Sequence, residues 1–130
     1  MKAVDTNVLL RYIVRDDPQQ FQTAAVFLGA RTVADPVFVS LIVVAELVWA
    51  LSRRYRYPRE DVRAAIMALM EAAEVRFEDE EHLSALLASS PKGDIADHLI
   101  AHCAAKAGCI STVTFDKGAA SRIPSMELLT

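Results

Sequence analysis

Twice in this chain a short apolar stub runs straight into residues that start helices. Ala3-Val4 meets Asp5-Thr6-Asn7, and Val37-Phe38-Val39 meets Ser40. Short polar side chains cap helix N-termini because their oxygens accept the orphan backbone N–H groups of the first turn. A third run, Cys109 to Phe115, reads as a strand that ends at Asp116, with Lys117-Gly118 after it as a turn. Strand, turn and helix in that order, repeated, dictate a parallel sheet covered on both faces and joined by right-handed crossovers. The expected class is therefore α/β, in three α/β/α layers around a central, mainly parallel sheet. In such sheets the working site lies outside the carboxyl ends of the strands.

The rest of the chain fits that frame. Asp16-Asp17-Pro18 restarts the chain, and Phe21, Ala24, Ala25, Phe27 and Leu28 recur at helical spacing up to Gly29. Ser40 opens a long helix ending near Arg53 to Tyr57. Pro58 opens another, with Val62, Ala65, Ile66, Leu69 and Met70 on one face, and Val75-Arg76-Phe77 reads as a strand. Glu78 to Glu81 suit a first helical turn, with Leu83, Leu86 and Leu87 as its apolar stripe. Ser89 to Gly93 is a loop. Asp94 starts a helix expected to face Ile95, Ala96, Leu99, Ile100, Cys103, Ala104 and Ala107 inward, with Gly108 at its C-terminal cap. A last short strand is expected after Pro124. No repeat or linker interrupts residues 1–130, so the expectation is a single domain.

Composition removes several classes. Apolar residues make up 53 % and charged residues 24 %, too apolar for a disordered chain. The longest apolar run, Leu41 to Leu51, is about half the roughly 20 residues that span a bilayer and carries Glu46 within it. No membrane association is expected. Asp5 falls where a signal peptide would be apolar, and the two cysteines do not make a disulfide scaffold, so a cytoplasmic setting is expected. The net charge of −3 argues against a dedicated nucleic-acid binder. If Asp5, Glu46, Asp94, Asp97 and Asp116 surround a cation, however, the remaining surface is slightly basic.

Those five acids carry the chemistry. Asp5 and Asp116 follow strands, Asp94 and Asp97 open a helix, and Glu46 is the sole charge in a helix apolar all round and expected to be largely buried. Two carboxylates about 4 Å apart repel by roughly 4 kcal/mol at an effective dielectric near 20, so a gathering of them needs protons or a cation. Oxygen ligands suit a hard ion, Mg²⁺ or Mn²⁺. Such an ion lowers the pKa of bound water and polarises a phosphoryl oxygen, which matches phosphodiester hydrolysis. Each acid also has a structural reading: Asp5 and Asp94 as N-caps, Asp97 as a capping-box partner, Asp116 as a turn residue, and Glu46 as snorkelling to the rim or paired with Arg11.

Taken in order, Asp5-Thr6-Asn7, Ser40 with Glu46, Gly93-Asp94-Ile95-Ala96-Asp97 and Thr114-Phe115-Asp116 resemble PIN-domain nucleases, specifically VapC-type toxins of prokaryotic toxin–antitoxin pairs. The resemblance runs over essentially the whole chain. It implies a Mg²⁺- or Mn²⁺-dependent endoribonuclease, usually a homodimer, held inactive in a higher assembly with a cognate VapB-type antitoxin. It also implies that Asp5, Glu46, Asp97 and Asp116 form an acidic metal-binding and catalytic quartet. Asp94 would be an additional acid, with Asn7 and Thr114 as polar supports. Arg11, Arg15, Lys92 and Lys117 flank the expected site as candidate phosphate contacts.

Other readings remain beside it. A phosphoacceptor receiver module has a similar size and sheet, but carries paired acids after its first strand and Lys-Pro after its last, where this chain has Asp5 alone and Lys117-Gly118. His98 and His102 stand at i and i+4, yet His98-Leu99-Ile100-Ala101-His102 lacks the Glu of a zincin. A catalytically silent RNA- or protein-binding PIN-like domain is the third alternative. Trp49 and Cys103 read as core residues, and His82 as a surface residue.

Overall fold

The computed structural model describes residues 1–130. Its strands are short and every pairing is parallel, as the strand and helix alternation predicts. β1 (Lys2–Ala3), β2 (Val37–Val39) and β3 (Val75–Phe77) form one sheet in the order β1-β2-β3. β4 (Thr112–Thr114) and β5 (Met126–Leu128) form another. Helices connect them: α1 (Thr6–Val14), α2 (Pro18–Gly29), α3 (Leu41–Trp49), α4 (Arg59–Glu71), α5 (Glu80–Ser89), α6 (Ile95–Lys106) and α7 (Lys117–Arg122). No helix is long and apolar enough to cross a membrane.

The chain divides into two compact units, Met1–Ala88 and Ser89–Thr130. In the first, Ala3 pairs with Phe38 and Val39 with Phe77, so the carboxyl ends of β1 and β2 lie side by side. The helices that follow those ends, α1 and α3, pack on each other. Leu9 and Leu10 of α1 and Val44 and Leu47 of α3 are buried between them and β2, whose Val37 and Val39 are fully enclosed. Removing such a leucine side chain costs about 2–5 kcal/mol, because the cavity left behind collapses only in part.

In the second unit, Ala101, Ala119, Ile123 and Met126 form a small cluster. Thr112 pairs with Met126 and Thr114 with Leu128. Gly108, at φ +90, follows α6 in the left-handed conformation expected of its cap.

Several expectations need correction. The long helix from Ser40 is α-helical only to Trp49; Ala50–Arg54 is a π-helical turn. α3 is apolar all round but not buried all round: Ile42, Glu46 and Trp49 share an exposed stripe, so Trp49 is not a core residue. Cys103 is exposed as well, as are Ile100 and Ala107, since Ile95, Leu99 and Ala101 supply the inward side of α6. The strand expected over Cys109 to Phe115 is confined to Thr112–Thr114, and Lys117-Gly118 opens α7 instead of an isolated turn.

Candidate active site

In the first unit the acids are placed by helix starts. Asp5 is the N-cap of α1: its backbone is extended, and its Oδ1 accepts the Asn7 N–H at 3.0 Å. Ser40 does the same for α3, its hydroxyl accepting the Val43 N–H at 3.2 Å, while the Glu78 carboxylate accepts the Leu41 N–H at 2.9 Å. These bonds fix where α3 begins and therefore where Glu46 stands. Thr6, the first residue of α1, then donates its hydroxyl to Glu46 Oε1 at 3.2 Å. Glu46 thus pairs with Thr6, not with Arg11, and it is exposed where the sequence pattern predicts burial. Its place on the open stripe of α3 removes the desolvation penalty that burial would bring.

Asp5, Thr6, Asn7, Glu46, Trp49 and Arg54 line one cleft of about 480 Å³. The donors in it are carboxylate, hydroxyl and amide oxygens. The cap bond and the Thr6 bond engage one oxygen of each carboxylate, so the donor set is of the hard, all-oxygen kind that suits Mg²⁺ or Mn²⁺ rather than Zn²⁺. Within neither unit do three or more His, Cys, Asp or Glu side chains gather as a metal-holding group, so here Asp5 and Glu46 are a pair.

The second unit repeats the device. Asp94 caps α6 by accepting the Ala96 N–H at 2.9 Å, and Asp97 lies half-buried in the same first turn. The loop before it is shaped by Gly93, in the left-handed region at φ +91, and His98 Nε2 lies 2.7 Å from the Lys92 carbonyl oxygen. Asp116 caps α7, accepting the Ala119 N–H at 3.0 Å, and its own N–H donates to Thr114 Oγ1 at 3.0 Å. Thr114 thus holds the backbone of Asp116. A Cβ at Gly118 would come within 3.2 Å of Asp116 Oδ1, so the glycine leaves room for that carboxylate.

The candidate phosphate contacts divide. The Arg11 guanidinium bonds Gln20 Oε1 at 2.7 Å, Asp16 Oδ1 at 3.0 Å and the Tyr55 hydroxyl at 3.1 Å. Its pKa is raised further above the ordinary value, chiefly by the bond to Tyr55 and also by the Asp16 carboxylate. Arg15 stacks over Phe21, 4.6 Å from the ring centroid. Lys92 and Lys117 are exposed. Trp49 and Arg54, which sequence reasoning left without a role, are the residues that share the cleft with Asp5 and Glu46.

Compared with known families, residues 2–124 match a family model described as PIN domain. No curated protein matches the chain.

Proposed function

The chain belongs to the PIN-domain family, whose members are typically metal-dependent nucleases, and from that premise we propose a Mg²⁺- or Mn²⁺-dependent endoribonuclease, the toxin of a VapC-type toxin–antitoxin pair. The family match displaces the receiver-like alternative. The observation that carries the proposal is the cleft in which Asp5, from the end of β1, and Glu46, from the middle of α3, are linked through Thr6.

In this reading Asp5, Glu46, Asp97 and Asp116 hold the divalent ion, Asp94 adds negative charge, and Asn7 and Thr114 orient the first and last acids. The bound ion supplies activated water and charge stabilisation for attack on an RNA phosphodiester. The chain's own contribution is to position Asp5 and Asp116 through helix caps and Glu46 through the Thr6 hydroxyl, on side chains carried by helix starts and helices. That the family match runs through both compact units supports reading them as one domain. A VapB-type antitoxin, a homodimer and a cytoplasmic setting complete the proposal.

The test is cleavage of total cellular RNA by antitoxin-free protein with Mg²⁺, Mn²⁺ or EDTA, beside Asp97→Asn. Discrete fragments that require both metal and Asp97 are expected. RNA bound by both proteins and cut by neither under any metal would instead support the catalytically silent PIN-like domain.

A further inference from the structure

The cleft holding Asp5 and Glu46 has a second wall that the acids do not explain. Trp49 lies one turn beyond Glu46 on α3 and is 54 % exposed, although tryptophan is highly buried on average. Immediately after it the helix widens, with the Tyr55 N–H bonding the Ala50 carbonyl five residues back at 3.1 Å. Single π turns of this kind are rare and are found often at functional sites. In an uninterrupted α-helix the residue seven positions after Glu46 returns to its face within about 20°, and that residue is Arg53. The wider turn delays the return by one position, and Arg54 is the arginine that lines the cleft with Glu46 and Trp49.

We infer that Trp49 and Arg54 form a nucleotide-binding wall: the indole stacks on an unpaired base of single-stranded RNA, and the guanidinium forks onto the adjoining phosphate. This rests on the nuclease reading and adds to it the two side chains that hold a nucleotide beside the acids. An exposed aromatic face stacks on any base, and a duplex keeps its bases stacked on one another. The planar guanidinium matches two phosphate oxygens at once. Arg54 also supplies positive charge where two carboxylates would otherwise repel a polyanion.

Trp49 is the sole tryptophan, so its fluorescence reports on this wall alone. The experiment titrates the full chain, in EDTA, with a short single-stranded oligoribonucleotide of mixed sequence and with the same sequence as a duplex. The single strand is expected to quench the emission and the duplex to leave it unchanged. Read by anisotropy of the labelled strand, Trp49→Ala is expected to weaken binding roughly tenfold or more, and Trp49→Phe, which keeps an aromatic face, to restore most of it. Arg54→Ala is expected to reduce the salt slope of binding by about one. In Mg²⁺, both alanine variants raise KM more than they lower kcat. RNA bound with unchanged emission, or cut by Trp49→Ala and Arg54→Ala at the wild-type KM, overturns the wall and leaves the nuclease reading standing. A wild-type chain that neither binds nor cuts RNA overturns both.

Discussion

Asp5 meets two demands with one side chain, and a substitution can separate them. Its Oδ1 caps α1, and its place in the cleft makes it a proposed metal ligand. Asparagine caps helices about as well as aspartate but brings no charge, whereas alanine does neither. Asp5→Asn is therefore expected to keep the wild-type melting temperature while losing roughly a hundredfold or more of the cleavage rate, more than the loss of an outer support usually causes. Asp5→Ala should lose activity and about 1 kcal/mol of stability together. Glu46→Gln belongs with the asparagine variant: the side chain is exposed, and the amide oxygen still accepts from Thr6. Thermal melts beside a cleavage assay check all three, and an Asp5→Asn protein as active as wild type would leave the cap as the residue's only role.

At the scale of elements, legibility followed the local physics. α1, α3 and α6 announce themselves through Asp5, Ser40 and Asp94, because a cap is a contact between near neighbours. The exposure of Glu46 and Trp49 is not local. It depends on which stripe of an evenly apolar helix the rest of the unit covers, and an apolar sequence has no period to disclose that. The π turn is hidden for a related reason, since Ala50–Arg54 reads as ordinary helix and the widening involves tertiary anchors. One anchor is visible: Tyr55, just past the π turn, bonds Arg11, which also holds Gln20 of α2 and the Asp16 carboxylate. Arg11 thus ties α1 to α2 and to the segment that carries Arg54. From its place in the sequence Arg11 reads as a candidate phosphate contact; in the structure its guanidinium is engaged by Gln20, Asp16 and Tyr55. Arg11→Ala is expected to lower stability, since these bonds are lost together, and to leave the salt slope of RNA binding unchanged. Denaturant melts and a salt titration distinguish this from loss of a phosphate contact.

For the whole molecule, the question is whether the acids of the two compact units serve one centre. Size bears on it first. The unit Ser89–Thr130 is close to the roughly 40 residues below which a chain rarely folds without a disulfide, metal or partner. Its cysteines are free and its buried cluster is small. A chain acting as one domain should then unfold in a single transition, with Trp49 fluorescence and far-ultraviolet circular dichroism giving the same midpoint. Function provides the sharper test. Residues that act as a unit are grossly non-additive, because once one is removed the others have little left to stabilise. Asp5 and Glu46 lie in the first unit, Asp97 and Asp116 in the second. If all four hold the metal at one centre, Asp5→Asn and Asp97→Asn should each abolish most cleavage, and the double variant should be scarcely worse than either. If the units work separately, the two losses should multiply, since independent sites add in free energy. Cleavage rates of wild type, both single variants and the double variant, taken at saturating Mg²⁺, decide between these outcomes, and multiplied losses would confine the metal centre to the cleft of Asp5 and Glu46.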